Sequence, residues 1–483
     1  MNTLDASQLI NAGRDVKTPF HLLVSRPGVG QVEILVLSVL RLLPARRLVA
    51  LAEVGGKKVV IKMFLGKKAG KYILRERTGV LALAQAGVCT PGLLWEGETE
   101  NGRLLVFQYL PDGIDLDERW SKSLLSGERV KILEMVMKVM SSLHDHGVVQ
   151  NDIHLENFLL SDGKINTIDG DAVERQGQAP LAEGASLKNL ALFFAQLYPR
   201  FDVLIGEALA TYESQRGWEM SNSRLQILKL AVIESREIRK RNYIAKTFRD
   251  CTRFLCRHTF KRFEVVERSA CSRELADLIE DPDKFIASGT ILKNGNSSTV
   301  ALVKLIDRSV VVKRYNIKNY RHGLRRAFRM SRAWLSWANA HRMEFLGIPA
   351  LRPIAMIENR LGPVRMTAYL ITEFIEGPDA LNYLTGTEKP VGKLESLVDI
   401  LQKLSEVRVS HGDLKATNFV MSEQGAVMID LDAMKEHHNQ QAFEQAFSRD
   451  LRRFMENWRD YPLLNTQFSG LLHDLWVQYN VKL

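Results

Sequence analysis

Gln150–Asp171 reads QNDIHLENFLLSDGKINTIDGD, and His411–Asp432 reads HGDLKATNFVMSEQGAVMIDLD. These stretches decide the fold, because they are one polar pattern written twice. Asp152 lies five residues before Asn157 and seventeen before Asp169; Asp413 lies five before Asn418 and seventeen before Asp430. Twenty residues beyond each second aspartate stand Asn189, in SLKNLALFF, and Asp450, in SRDLRRFME. Four polar positions in one register, occurring twice, identify an internal duplication.

The parts upstream repeat as well. LVALAEVGGKKVVIKMF (Leu48–Phe64) predicts strand, Gly55-Gly56 hairpin and strand; TVALVKLIDRSVVVKRY (Thr299–Tyr315) predicts the same with its turn near Asp307-Arg308. Both second strands end with a lysine after an apolar run, Lys62 and Lys313. A helical stretch follows each and stops at a breaker, AGVCTP (Ala86–Pro91) or LGIP (Leu346–Pro349). An apolar strand ending in a turn comes next: LLVFQYLPDG (Leu104–Gly113) and YLITEFIEG (Tyr369–Gly377). Each half therefore reads as a strand-rich lobe, a helix, an edge strand and a helical lobe holding the polar loop. The join falls in the basic segment Arg236–Arg262, near residue 240, which gives domains 1–240 and 241–483.

The 483 residues are 46% hydrophobic and 25% charged. This composition excludes a collagen, a disordered tail and a disulfide-rich mini-protein, and the length predicts two or three domains. The net charge of +10 suits an anionic partner such as phosphate, nucleic acid or an acidic membrane face. Cys89, Cys251, Cys256 and Cys271 form no CxxC pair, and reduced thiols in a cytosolic protein are expected. The first twenty residues are too polar and acidic for a signal peptide. The apolar run Val32–Leu43 carries Glu33 and Arg41 and is too short to span a bilayer, so any membrane association is expected to be peripheral.

The repeated residues match the needs of phosphoryl transfer from a nucleotide. That chemistry asks for a lysine on the α- and β-phosphates and a glutamate on a neighbouring helix to aim it. It also asks for an aspartate to accept the proton of the attacking hydroxyl, and for an asparagine and a second aspartate to hold Mg²⁺. In HGDLKATN, Asp413 takes the place of the base and Asn418 of a metal ligand; Asp430 is the main metal ligand, and Lys415 is placed to meet the transferring phosphate. Asp152, Asn157 and Asp169 take the matching places in the first half, with Lys62 for Lys313 and Gln150 for the loop histidine. Taken singly, a D-x-x-x-x-N is usually a polar turn and a lysine ending a strand is usually solvated. The joint pattern, written twice, reverses that reading.

HGDLKATNFV with IDLDAM, together with GIPALRPIA, RDLRRF and the junction RDCTRF, resembles the protein-kinase-like superfamily. More narrowly it resembles the lipopolysaccharide core sugar kinases (Kdo and heptose kinases) of Gram-negative bacteria. The resemblance covers nearly the whole chain as two copies. It implies an α+β fold of two tandem protein-kinase-like domains, each a small β-rich N-lobe plus a mostly helical C-lobe. It also implies ATP and Mg²⁺ as cofactors and a sugar hydroxyl as acceptor. Asp430-Leu431-Asp432 and Asp169-Gly170-Asp171 stand where protein kinases have DFG, and no long activation segment follows, which argues against a regulated protein kinase.

The halves depart from the pattern in different places. Glu76 is suitably placed to pair with Lys62. The matching position of the second half holds Ser336, with Glu344 at the helix end as the alternative partner for Lys313. A phosphate-covering loop is reduced to LKNGNSS, where Gly295, Ser297 and Ser298 could cradle phosphate; the first half offers only LLPARR (Leu42–Arg47).

Arg236–Arg262 holds ten Lys or Arg against Glu237 and Asp250, interleaved with Tyr243, Phe248, Phe254 and Phe260. Arg321–Arg342 holds six arginines with Trp334 and Trp337. The bland reading is a solvated helix face with core aromatics. The functional reading is contact with phosphates of a lipid A–core or lipid-linked sugar acceptor, or with the anionic cytoplasmic face of the inner membrane. No nucleic-acid-binding module is present, so nucleic acid is not expected. His144 and His146 read as structural residues closing a helix, since no zinc spacing occurs. Three functions stay open: a lipopolysaccharide core sugar kinase, a kinase with a protein or small-molecule acceptor, and a partly degenerate scaffold for envelope-biosynthesis proteins.

Overall fold

The structure, a computed structural model, describes residues 3–123, 125–316, 330–386 and 393–479. It is mixed α and β, and divides into two units. One comprises Met1–Leu197 with Phe201–Arg236, the other Tyr198–Arg200 with Glu237–Leu483. The division falls inside the Asn222–Lys246 helix.

The first unit opens with a six-stranded closed antiparallel barrel. Its strands are Phe20–Arg26, Gly30–Leu43, Arg47–Val54, Lys57–Leu65, Leu93–Thr99 and Gly102–Gln108; the last pairs with Lys57–Leu65, and Leu93–Thr99 closes onto the first. The apolar run Val32–Leu43 is thus a barrel strand. Period-two alternation turns Leu22, Val24, Ile34, Val36, Ala50, Ala52, Ile61 and Met63 inward, all fully buried. Gly55 and Gly56, both at positive φ, make the hairpin turn. The Ala69–Gln85 helix follows. The helical lobe is built on Ser126–Asp145, Glu183–Phe194 and Ile205–Gln215, with Val136, Met140, Phe193 and Tyr212 in its core.

The second unit has instead an open seven-stranded antiparallel sheet. In spatial order its strands are Phe254–His258, Arg262–Glu267, Pro353–Leu361, Val364–Glu373, Ser309–Tyr315, Ser298–Lys304 and Thr290–Asn294. The Arg332–Leu346 helix starts at the Ser331 cap and stops at Gly347, which lies in the left-handed region at φ 68°. Its buried face, Trp337, Ala340 and Met343, joins one core with Phe443, Phe447, Phe454, Trp458 and Phe468 of the helical lobe.

The basic, aromatic segments have a largely structural explanation. Trp337 is fully buried and donates to the Thr247 carbonyl; Trp334 stacks on Phe248 at 3.8 Å; Phe254 is in the core. Trp337, so held, presents no surface; Trp334 is partly buried, and among the segments' described aromatics Phe260 is the one with a largely exposed ring. Arg236 pairs with Asp202, Lys240 with Glu237 and Glu436, and Arg253 with Glu267 and Glu344. The arginines Arg321, Arg325, Arg326 and Arg329 lie outside the described residues. All four cysteines are free thiols. Among the described residues no helix is long and apolar enough to cross a membrane.

Candidate active site

In the first unit Lys62 projects from the fourth barrel strand onto the fully buried Glu76 carboxylate of the Ala69–Gln85 helix, with which it is hydrogen-bonded. Its ammonium also donates to the Ile168 carbonyl at 2.7 Å and lies 3.7 Å from Asp169. Burial raises the Glu76 carboxyl above its ordinary value against the pull of Lys62. Burial pushes Asp169 upward too, but Lys62, the Asp171 amide and Arg47 outweigh it, so the Asp169 carboxyl is lowered. The helix sits directly on the Asp169-Gly170-Asp171 turn. A Cβ on Gly79 would fall 1.9 Å from the Gly170 carbonyl oxygen, and one on Gly170 2.5 Å from the Glu76 carbonyl oxygen. Only glycines permit that approach, and it fixes Glu76 over Lys62.

Lys62, Asn157 and Asp169 line a cleft of about 510 Å³, walled by Val49, Val60, Val80, Phe107 and Leu159. The Ile168 amide donates to the Asn157 carbonyl, so the asparagine sits beside Asp169. The Asn157 amide donates to the Asp152 carbonyl at 2.6 Å and shapes the loop. His154 stands where the second unit has Lys415.

In the second unit Lys313, Asn418, Asp430 and Lys415 line a cleft of about 500 Å³ with apolar walls from Val300, Val311, Leu370, Val420 and Ile429. Lys313 lies 2.5 Å from Asp430 and 3.9 Å from Asp432. Burial lowers the Lys313 ammonium, but Tyr315, Asp430 and Asp432 raise it further, so its pKa is raised. Glu344 does not pair with Lys313. It binds Tyr243 at 2.8 Å, Arg253 at 2.8 Å and His341 at 3.0 Å, at the far end of its helix. Ser336 bonds the Tyr315 hydroxyl at 2.9 Å. The second carboxylate near Lys313 is Asp432, tied to Arg332 at 2.5 Å. Asp430 is in the left-handed region at φ 62°, which Asp169 is not; strain of this kind gathers at functional sites.

Asp413 lies beside that cleft, 3.0 Å from Lys415 and 3.4 Å from Arg453. Its modest burial pushes the carboxyl up, but Lys415, Arg453 and Asn418 bring it below its ordinary value. Of the expected phosphate cradle, Ser298 lines the cleft. Gly295 and Ser297 close the hairpin, the Gly295 amide donating to the Ser298 carbonyl and the Ser297 carbonyl accepting from Asn316. In the first unit the corresponding turn brings Arg47 to the cleft.

The fourth repeated position anchors each loop. Asp450 accepts the His411 amide at 2.6 Å and the Gly412 amide at 3.0 Å; burial raises its pKa to about 6. Asn189 exchanges bonds with the Gln150 backbone, and its Oδ1 accepts from the His144 ring Nε2 at 3.0 Å. Burial lowers the His144 imidazole to about 4, so it is neutral and structural. Sequence reasoning missed Asp432 as a partner of Lys313. The signal was the D-x-D spacing, read there only as a replacement for DFG.

The family model for the lipopolysaccharide kinase (Kdo/WaaP) family matches residues 278–472, covering the Lys313 strand, the Asp413 loop and the Asp450 helix. The protein is a kinase. Similar solved structures include WaaP in complex with acyl carrier protein, at 21% identity over 42% of this chain and 88% of that one, with a TM-score of 0.32. Another is the kinase domain of Mycobacterium tuberculosis PknI, at 19% identity over 42% of this chain and 95% of that one, with a TM-score of 0.28. No curated protein matches the chain.

Proposed function

We propose that the chain is two tandem protein-kinase-like domains and that the second transfers the γ-phosphoryl group of ATP to a sugar hydroxyl of the lipopolysaccharide core. The observation that carries this reading is the meeting of Lys313, Asp430, Asn418 and the Asp413–Lys415 pair at one cleft within the region of the family match. The donor set fits MgATP. Asn418 and Asp430 offer hard oxygens, and among the described residues no cluster of three or more His, Cys, Asp or Glu competes for a softer metal. Magnesium is held by one or two protein oxygens plus phosphates and water. Bound MgATP supplies the electrophilic phosphorus and the metal charge that neutralises the phosphate oxygens.

The chain's own groups do the rest. Lys313 is aimed by Asp430 and Asp432 and holds phosphate oxygens. Asp413 is ionised at neutral pH, orients the acceptor hydroxyl and takes its proton as the oxygen bonds to phosphorus and ADP departs. A carboxylate of low basicity suits a loose transition state, in which the proton moves late. Lys415 meets the charge on the phosphoryl group in flight. The first unit keeps Lys62, Glu76, Asn157 and Asp169, so it is a nucleotide-binding domain; it lacks a loop lysine at His154, so it does not transfer. An acceptor of this kind places the enzyme peripherally on the cytoplasmic face of the inner membrane, among envelope-biosynthesis proteins.

The test is ³²P transfer from ATP to dephosphorylated core oligosaccharide by the full-length protein, with acid-stable label in the sugar expected. Labelled lysate proteins and unlabelled oligosaccharide would replace the sugar with a protein acceptor.

A further inference from the structure

A second cavity in the second unit opens beside Asp413. Its volume is about 470 Å³, and Ser410, Gly412, Lys435, His437, Arg449 and Arg453 line it. Arg449 and Arg453 are four residues apart on the Gln440–Glu456 helix and so share a face. Like charges at that spacing destabilise a helix, so folding alone does not favour them. Lys435, from the short strand beside the loop, adds a third positive charge, and among the described residues it makes no ion pair. Two carboxylates border the groove. Asp450 is committed to the His411 and Gly412 amides, and Asp413 is the group assigned as base. Burial, Lys435 and Arg449 together lower the His437 imidazole, an independent sign of positive potential there.

Two of the three charges, Lys435 and Arg453, belong to the second unit alone. At the matching sequence positions the first has Glu174 for Lys435, Gln176 for His437, Lys188 for Arg449 and Leu192 for Arg453. Arg453 joins the groove to the chemistry, since its guanidinium is 3.4 Å from Asp413.

We propose that this groove is an acceptor subsite for an anionic substituent, carboxylate or phosphate, carried by the sugar whose hydroxyl is presented to Asp413. The proposal rests on the kinase reading above and names what the acceptor must bear. Lys435 and Arg449 hold the anion, and Arg453 spans anion and base, so an acceptor lacking the negative group binds without orienting its hydroxyl.

The experiment uses full-length protein with ¹³C-labelled histidine. Inorganic phosphate and, separately, acetate are titrated while the His437 ring signal is followed, in wild type and in Lys435→Glu/Arg449→Glu. One or both anions are expected to shift His437 in wild type and not in the double variant, and the anion acting at lower concentration names the group. In the transfer assay the double variant is expected to raise KM for deacylated core oligosaccharide by about tenfold or more. The loss falls on KM rather than kcat, and Lys435→Arg/Arg449→Lys restores it. A shift abolished by the double variant supports the subsite even if the oligosaccharide is never phosphorylated, in which case only the choice of acceptor fails. A His437 signal indifferent to both anions, or shifted equally in the variant, overturns the proposal.

Discussion

The two units carry the same four polar positions at a constant interval of 261 residues, yet differ in the charges placed around them. The first holds its lysine with a buried helix glutamate, Glu76, and has a histidine where a loop lysine would stand. The second has the loop lysine, paired with Asp413, and holds Lys313 with Asp430 and Asp432 in place of a helix glutamate. The comparison teaches that holding the strand lysine with a carboxylate and placing a loop lysine beside the loop aspartate are separable. One unit has the buried ion pair and no loop lysine; the other has no helix glutamate on Lys313 and sets Lys415, Arg453 and a positive groove around Asp413.

The largest stability effect falls on the first unit's ion pair. Glu76→Ala leaves Lys62 with only the Ile168 carbonyl and Asp169 at 3.7 Å, and the cost should lie at the lower end of the about 3–5 kcal/mol for breaking a buried pair. Hydrogen exchange in the Lys57–Leu65 strand and Ala69–Gln85 helix should accelerate accordingly; unchanged protection would mean that the pair adds nothing. Next comes acid sensitivity. His144 titrates near 4 when folded, below its ordinary 6.5, so the unfolded chain binds its proton first and stability falls as pH drops from about 6.5 to 4. The full loss is about 3 kcal/mol, and His144→Gln should remove this part of the pH dependence in denaturant titrations.

Asp450 works in the opposite direction and more weakly. Its folded pKa, raised to about 6 from 3.8, makes the folded chain the better proton binder, so stability falls as pH rises through that window. Asp450→Asn should flatten the second unit's profile there by about 2–3 kcal/mol. The smallest effect is that of Glu344→Gln. Its carboxylate is nearly half exposed and away from Lys313, so the change should cost about 1 kcal/mol or less. ATP affinity, measured by calorimetry, should not move; a marked loss would restore Glu344 as the partner of Lys313.

Much of the site was legible because its signals are local or repeated. The Lys62 and Lys313 strands, the Gly55-Gly56 turn and the D…N…D spacing are short-range patterns, and Glu76 follows from helix spacing. Barrel closure was not legible. VEILVLSVLRLL is a nearly continuous apolar run, which periodicity alone does not assign to a strand, and its pairing with Phe20–Arg26 and Arg47–Val54 is a tertiary fact. The tryptophans misled for a related reason. An Arg/Trp-rich helix has the composition of an interfacial one, and only packing reveals Trp337 in the core. The charged groove unites Lys435 with Arg449 and Arg453 across two elements, so RDLRRF alone displays half of it.

The most direct test of the division of labour between the units is ³²P transfer to core oligosaccharide by Asp413→Asn and Asp152→Asn, each with MgATP binding measured in parallel. Asp413→Asn should lower kcat by about 10²–10⁴-fold, as loss of a positioned general base does, and Asp152→Asn should leave kcat near wild type. Equal losses in the two variants, or a loss confined to Asp152→Asn, would contradict the assignment of transfer to the second unit.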